Sequence, residues 1–244
     1  MEFLNEWYGL LLFILFDVLA VIALICIGYR WFFKRVFDLL LSGLCLILTS
    51  PIFLIVYLRW KNFTKDGELD IPYMTETVYI GKKGKRVALR SFTRKDDDGD
   101  TLGYYGRWLK RTKFYKLPRL LDVFSGRASF VGVKAFSPVD AAFVEEEDTV
   151  RFTVRPGLIN PLVLTGDESL TYEEMLSSDK HYANGFSFFK DVKIFFGWLL
   201  YSIREGGRQY FVKTLEKGYA ETLLEEGNIT REDFDIAMAE ESEE

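Results

Sequence analysis

Histidine is nearly missing: His181 is the only one in 244 residues. With no companion for His181, a His-rich metal site is excluded, since that needs several imidazoles. Cysteine is as scarce. Cys26 and Cys45 both fall in apolar runs, which gives neither a disulfide framework nor a metal spacing. There is no internal repeat. Net positive charge is missing too, and the total of −5 conceals a split. From Glu221 to Glu244 ten acids meet one base, Arg231, a net of −9, so the remainder carries +4. An acidic end behind a mildly basic body argues against a nucleic-acid partner and reads as a solvated tail or a docking segment.

Apolar residues, by contrast, are abundant and uneven, with residues 1–59 nearly all apolar. "YGLLLFILFDVLAVIALICIG" (8–28) is broken only by Asp17 and has the roughly 20 residues a bilayer span needs. A secretory signal peptide fits poorly, because Glu2 and Glu6 precede the run and no small-residue cleavage site follows. Arg30, Lys34 and Arg35 come next and would stay cytoplasmic, placing the N-terminus outside. A second apolar run, Val36 to Leu58, has cations beyond it as well: Arg59, Lys61 and Lys65. Ser50-Pro51 lies near its middle, where proline removes a helical hydrogen bond and disfavours helix at the residue before it. Two readings stand: a helix broken there that dips into the membrane and returns, or a kinked ordinary span. Asp17 costs roughly 2.5–3.5 kcal/mol at the centre of a span and is expected to face a partner helix or to lie nearer the surface.

Beyond residue 60 the chain reads as a globular body. "TVYIG" and "RVALRSF" predict strands around a turn at "GKKGK". "KDDDGD" (95–100) has carboxylates suited to a hard cation but not the rest of a calcium-loop pattern, and reads as a solvated loop. From Tyr105 to Phe124 the apolar spacing predicts an amphipathic helix, a break at Pro118 and a second short helix. Its cations Arg107, Lys110, Arg111, Lys113, Lys116 and Arg119 would lie at a membrane surface or reach for phosphate. "VRPGL" (154–158) predicts a turn and "INPLVLTG" (159–166) a strand. Thr171-x-x-Glu174 predicts a capping box opening a helix. "SFFKDVKIFFGWLLYSIREGG" (187–207) predicts a helix whose aromatics suit the interface plane, and "TREDFDIAMAE" predicts a last helix from Thr230.

Together these pieces resemble the bacterial sugar transferases, the monotopic polyprenyl-phosphate phosphoglycosyl transferases. The likeness runs from about Lys34 to about Phe196, some two-thirds of the chain. It starts at "KRVFDLLLSGLCLILTSP", in that family a re-entrant helix that enters and leaves on the cytoplasmic face. It continues at "LKRTKFYKLPRLLDVFSGRASFVG", where members carry Leu-Arg-Arg-Thr-Ser-Leu-Asp-Glu-Leu-Pro-Gln and then Asn-Val-Leu-x-Gly-Asp-Met-Ser-Leu-Val-Gly. "VRPGL" and "SSDKHYANGFSFFKDVKIF" match later segments. The resemblance implies transfer of a sugar phosphate from a nucleotide diphosphate sugar to a polyprenyl phosphate. The Asp of an Asp-Glu pair attacks the β-phosphate, with Mg²⁺ alongside.

Here that pair falls on Tyr115 and Lys116. A phenol with an ordinary pKa of about 10 and an ammonium serve poorly as nucleophile and hard metal ligand near neutral pH. Other segments depart as well. Pro-Arg-Pro becomes Val133-Lys134-Ala135, Gln-x-Arg becomes Thr77-Val78-Tyr79, and Lys-Phe-Arg-Thr-Met becomes Ser91 to Lys95. Gly-Asp becomes Gly126-Arg127, and a late Gln and Arg become Val163 and Asp167. Turn and packing positions persist, among them Ser50, Pro51, Gly106, Leu117, Pro118, Gly132, Pro156, Gly157 and Tyr182.

The expectation is an α+β membrane protein, a degenerate family member or pseudoenzyme without a catalytic residue. A spanning helix (1–29) and a re-entrant helix broken at Ser50-Pro51 (30–60) would precede a small cytoplasmic α/β domain with amphipathic interfacial helices (61–206) and a helical acidic tail (207–244). It would serve as a scaffold or regulator at the bacterial inner membrane in exopolysaccharide or glycan assembly. Its partners would be membrane lipids and a glycosyltransferase or transporter reached through Asp17, with self-association open and no nucleic acid. Arg111, Lys134 and Arg155 are the candidate phosphate-binding residues. No metal or cofactor is expected, Mg²⁺ entering only with retained activity. The alternatives are relocated chemistry on Asp122, Asp96, Asp97, Asp98 or Asp100, and a regulator that binds nucleotide sugar or polyprenyl phosphate.

Overall fold

A computed structural model describes residues 7–64, 71–94, 101–165, 170–204 and 217–242. Helix α1 (Trp7–Gly28) opens the chain, and a π-helical turn, Tyr29–Phe33, leads directly into α2 (Lys34–Thr64). Both helices are long and apolar enough to cross a membrane. Five consecutive large side chains of α1, Leu10 to Ile14, are exposed, so this helix shows apolar surface on all sides. Asp17 is exposed among them.

Helix α2 does not break at Ser50-Pro51; helix runs through both residues. The reason is local. Pro51 has no N–H to give to the carbonyl four residues earlier, which belongs to Ile47. The Ser50 hydroxyl donates to that same Ile47 carbonyl at 2.8 Å. One residue earlier, the Thr49 hydroxyl donates to the Cys45 carbonyl at 2.7 Å.

The two faces of α2 differ along its whole length. Leu40, Leu44, Ile47, Leu48, Pro51, Leu54, Ile55 and Leu58 recur at three- and four-residue spacing and are exposed. The opposite face packs on the body twice. Leu41, Cys45 and Leu46 meet the cluster of Val123, Phe130 and Val131. Ile52, Phe53, Trp60 and Phe63 then meet Phe92, Leu102, Tyr105 and Leu109.

The body holds two small sheets. Strands β1 (Met74–Ile80) and β2 (Arg86–Phe92) form an antiparallel hairpin in which Met74 faces Phe92 and Ile80 faces Arg86. Helices α3 (Gly103–Thr112) and α4 (Arg119–Ser125) follow, separated by a 3₁₀ turn, Phe114–Lys116. Lys113, left-handed at φ 62°, ends α3, and Pro118 opens α4. The expected helix, break and helix are present. Strand β3 (Ser129–Val131) pairs in parallel with β4 (Gly157–Ile159). The backbones meet so closely that a Cβ on Gly157 would stand 2.2 Å from the Gly132 nitrogen.

The turn expected over 154–158 and the strand expected over 159–166 are both displaced. The strand is Gly157–Ile159, so Gly157 and Leu158 of the expected turn are extended and only Ile159 of the expected strand is. Pro161–Leu164 is a 3₁₀ turn whose first amide is capped by Asn160, Leu162 N to Oδ1 at 2.9 Å. Asn-Pro is a helix-start signal, and it outweighs the apolar run.

A short helix α5 (Pro138–Ala142) and a 3₁₀ segment, Glu146–Thr153, come before α6 (Tyr172–Gly185), which opens on the predicted Thr171–Glu174 capping box. Helix α7 (Phe188–Arg204) buries Asp191 and Ile194 and exposes Phe189, Phe196, Leu200 and Ile203 along one stripe. The acidic end forms α8 (Tyr219–Glu226) and α9 (Arg231–Ser242) and docks on the body. The Tyr219 ring stacks on Phe136 at 5.6 Å, Ala220 and Ala237 bury against Val139, and Ala220 N donates to Asp140 at 3.0 Å. The acid loop of residues 95–100 and Asp167 lie outside the described residues.

Candidate functional site

The first turns of α2 act as three bolts into the body. Lys34 donates to Asp191 at 2.5 Å, to the Val131 carbonyl at 3.0 Å and to the Tyr182 hydroxyl at 3.1 Å. Tyr29 and Tyr182 donate to the same Asp191 at 2.6 and 2.7 Å. Arg35 donates to the carbonyls of Val123 and Phe124, both at 2.6 Å, at the C-terminal end of α4 where a helix dipole favours a cation. Asp38, fully buried, accepts from Ser129 Oγ at 2.7 Å and Phe130 N at 2.9 Å. The Lys-Arg pair and Asp of the opening motif are therefore assembly residues. They fix the frame on which the α3–α4 segment is held.

Within that frame Tyr115 and Lys116 occupy the 3₁₀ turn between α3 and α4. Lys113 and Phe114 accept the turn's hydrogen bonds from Lys116 N at 3.3 Å and Leu117 N at 2.9 Å. Phe114 and Tyr115 lean on the apolar cluster that receives Ile52 and Phe53 of α2. The turn thus borders the half of α2 that follows Pro51.

What surrounds the turn is cationic. The Arg94 guanidinium lies over the Tyr115 ring at 4.6 Å and the Lys116 ammonium lies beside it at 5.6 Å. Arg119 lies over Tyr79 at 5.5 Å and donates to its hydroxyl at 3.3 Å. Loss of hydration, then the charges of Arg119, Lys113, Arg94 and Lys134, bring the Lys116 pKa down to about 8. Lys134 is brought down to about 8 as well, chiefly by burial; it donates to Tyr172 at 3.0 Å and lies over that ring at 4.7 Å.

Of the three expected phosphate-binding residues, only Lys134 is among the charges acting on Lys116. Arg155 acts instead on Lys82, and Arg111 is exposed in the last turn of α3. The groups that surround the turn are Arg94, Lys113, Arg119 and Tyr79. Three of these four stand in segments that depart from the family pattern, and the fourth, Arg119, stands where that pattern has Gln. Lys113 and Arg119 belong to the cation group already read from the sequence, whereas for Arg94 and Tyr79 that departure is the signal by which they could have been found.

Asp122, the one described candidate for relocated chemistry, is fully buried and already engaged. It accepts from Arg90 N at 2.7 Å and faces the guanidinium groups of Arg90 and Arg127 at 3.8 and 3.7 Å. Burial raises its pKa against the pull of those partners. A divalent cation does not fit the turn: its neighbours are cations, and no group of three metal-binding side chains occurs among the described residues.

Fold, membrane helices and motif positions now meet in one class of protein. The bacterial sugar transferase family matches residues 29–204, and the chain belongs to that family. It is 28% identical over 173 residues to the uncharacterized sugar transferase EpsL of Bacillus subtilis, covering 66% of this chain and 82% of that one. It is 28% identical over 192 residues to the UDP-glucose:undecaprenyl-phosphate glucose-1-phosphate transferase of Klebsiella pneumoniae, covering 69% of this chain but only 40% of that protein. The exopolysaccharide production protein ExoY of Sinorhizobium fredii is 26% identical over 186 residues, with 67% and 82% covered.

Proposed function

We propose that this protein is a non-catalytic family member, a membrane-anchored scaffold or regulator in bacterial exopolysaccharide or glycan assembly. The observation that carries this reading is the cationic setting of Tyr115 and Lys116. A carboxylate nucleophile needs to be ionised and unhindered, and a metal needs oxygen ligands. The turn offers a phenol, an ammonium and four further cations. Asp122 is engaged elsewhere, so relocated chemistry has no support among the described residues. No Mg²⁺ is required.

The body is cytoplasmic in this reading, with the N-terminus outside the inner membrane. Although α2 runs as helix through Pro51, its first turns bind α4, β3 and α7 and its last turns bind β2 and α3 of the same body, which supports a reading in which both of its ends lie on one side of the membrane. Its exposed stripe and that of α7 face lipid. Helix α1, exposed on all sides, is the contact for a glycosyltransferase or transporter in the membrane, with Asp17 as its polar anchor.

Two measurements test the reading. Detergent-solubilised pull-down with mass spectrometry should recover a stoichiometric membrane partner from wild type and lose it from Asp17→Leu; recovery of the protein alone removes the scaffold. Incubation with UDP-glucose and undecaprenyl phosphate, the pair named for the Klebsiella relative, should give no phosphosugar lipid. Turnover abolished by Tyr115→Phe would overturn the non-catalytic assignment.

A further inference from the structure

Helix α8 does more than cover the body. Between it, the start of α6 and the 3₁₀ segment Glu146–Thr153 lies an open cleft of about 920 Å³. The α8 wall lies beyond residues 29–204, the stretch that the family matches, so this cleft is no part of the family's matched frame. We infer that the cleft receives a short basic segment of a partner protein, an extended stretch in which Lys or Arg alternates with apolar residues.

Charge is the first argument. The cleft is lined by five carboxylates, Glu145, Glu147, Asp148, Glu173 and Glu226, against one ammonium, Lys180. Lys180 pairs with Glu147 at 3.1 Å and with Asp148 at 3.4 Å. Among the described residues no cation pairs with Glu145, Glu173 or Glu226, and Lys217 pairs with Glu225 instead. Glu173 has a local reason to be acidic, since it stands in the first turn of α6, where the helix dipole favours an anion. Glu226 has none: it ends α8, where the dipole favours a cation. Glu145 holds the N-cap position of the 3₁₀ segment yet makes no capping hydrogen bond with its side chain. The acids converge on one place. Burial first, then the charges of Glu145, Asp148 and Glu173 against the pull of Arg151, raise the pKa of the Tyr219 hydroxyl.

The floor is the second argument. Tyr172 and Tyr219, with ring centres 5.1 Å apart, lie there beside Phe143, Leu176 and Leu223. Ring faces below and carboxylates at the rim suit a guanidinium or ammonium carried on an apolar stem. Ser177, Thr222 and Asn228 add hydrogen-bonding groups that a peptide backbone can use. A free polyamine matches the charge but has no apolar side chain to lay on this floor. The volume lies near the top of the roughly 300–1,000 Å³ typical of ligand pockets, which admits a few residues and no folded domain.

Fluorescence anisotropy tests this with the full chain in phosphatidylcholine nanodiscs, empty nanodiscs as baseline, and a labelled peptide, Gly-Arg-Phe-Lys-Leu-Arg-Gly. The expected result is saturable binding that weakens as salt is raised. The Glu173→Gln, Glu226→Gln double variant should weaken it roughly five-fold or more, as loss of two partly screened ion pairs implies. Glu232→Gln with Glu240→Gln, on α9 outside the cleft, should change it by less than about two-fold. Bound peptide should also slow amide exchange in α8, because it ties that wall of the cleft to the body.

Absence of saturable binding overturns the proposal. Equal losses in the two double variants do so as well, since they mean general acidity. Equal affinity for Gly-Arg-Gly-Lys-Gly-Arg-Gly means that the floor plays no part, and displacement by spermine at equal concentration assigns the cleft to a polyamine; either result sinks the idea. Should the Glu173, Glu226 pair of changes unfold the protein, Glu145→Gln, on an exposed residue, decides with a loss of roughly two-fold or more. Converting Arg208 and Lys213 to Gln should leave affinity within about two-fold; a gain of roughly five-fold or more would mean that the chain's own cations fill the cleft, and the proposal falls. The inference goes beyond the scaffold reading, whose contact is α1, and the two fail separately. A pull-down that recovers the protein alone removes the contact at Asp17 and leaves peptide binding standing, whereas flat anisotropy does the reverse.

Discussion

At the scale of single residues, buried charge decides more here than reactivity does. Lys116 and Lys134 have folded pKa values of about 8 against an ordinary 10.5. Between those values the unfolded chain binds more protons than the folded one, so stability rises with pH across that window. Denaturant unfolding from neutral pH to about pH 10 should show that rise, and the Lys116→Gln, Lys134→Gln double variant should lose part of the slope. Asp122 behaves oppositely, as a structural anchor. Asp122→Asn should cost about 1–3 kcal/mol in thermal unfolding by disturbing the Arg90 amide and two guanidiniums. The Lys113–Arg119 cations were legible in the sequence as a group that reaches for phosphate or membrane. Arg94 was not, because it lies at the end of the β hairpin and only the fold brings it over Tyr115.

At the scale of elements, local signals were reliable where side chain and backbone agree. The capping box at Thr171, the hairpin turn around Lys83 and Gly84, and the two helices flanking Tyr115 each follow from residues within one turn of the feature. Pro51 misled, because its missing hydrogen bond is compensated by its own neighbour. The compensation can be measured. Ser50→Ala should cost about 1 kcal/mol and speed amide exchange just after Pro51 in nanodiscs, since the Ile47 carbonyl loses its donor. In a Pro51→Ala background the backbone N–H returns, and the same Ser50→Ala change should cost little. Equal costs in both backgrounds would show that the hydroxyl plays no such part.

Across the whole molecule, the least legible features were the long-range attachments. Lys34 and Asp191 are 157 positions apart, and nothing in either neighbourhood announces the other. Lys34→Met should destabilise by about 3–5 kcal/mol, leaving a buried carboxylate with only tyrosine donors. The acidic end was readable as charge but not as a packed lid, since its docking rests on a few residues such as Tyr219 and Ala237. Removing residues 217–244 should lower the unfolding temperature and uncover Phe136 and Val139, detected by increased binding of a hydrophobic dye. Helix α2 carries the widest consequence. One of its faces belongs to the core and the other is apolar and exposed, so in the proposed membrane-anchored reading lipid is a ligand of the folded state in the thermodynamic sense. The body's melting temperature then becomes a function of lipid concentration and acyl composition, and a detergent that strips α2 of its lipid surroundings loosens at the same time the helix that holds the cationic turn in shape.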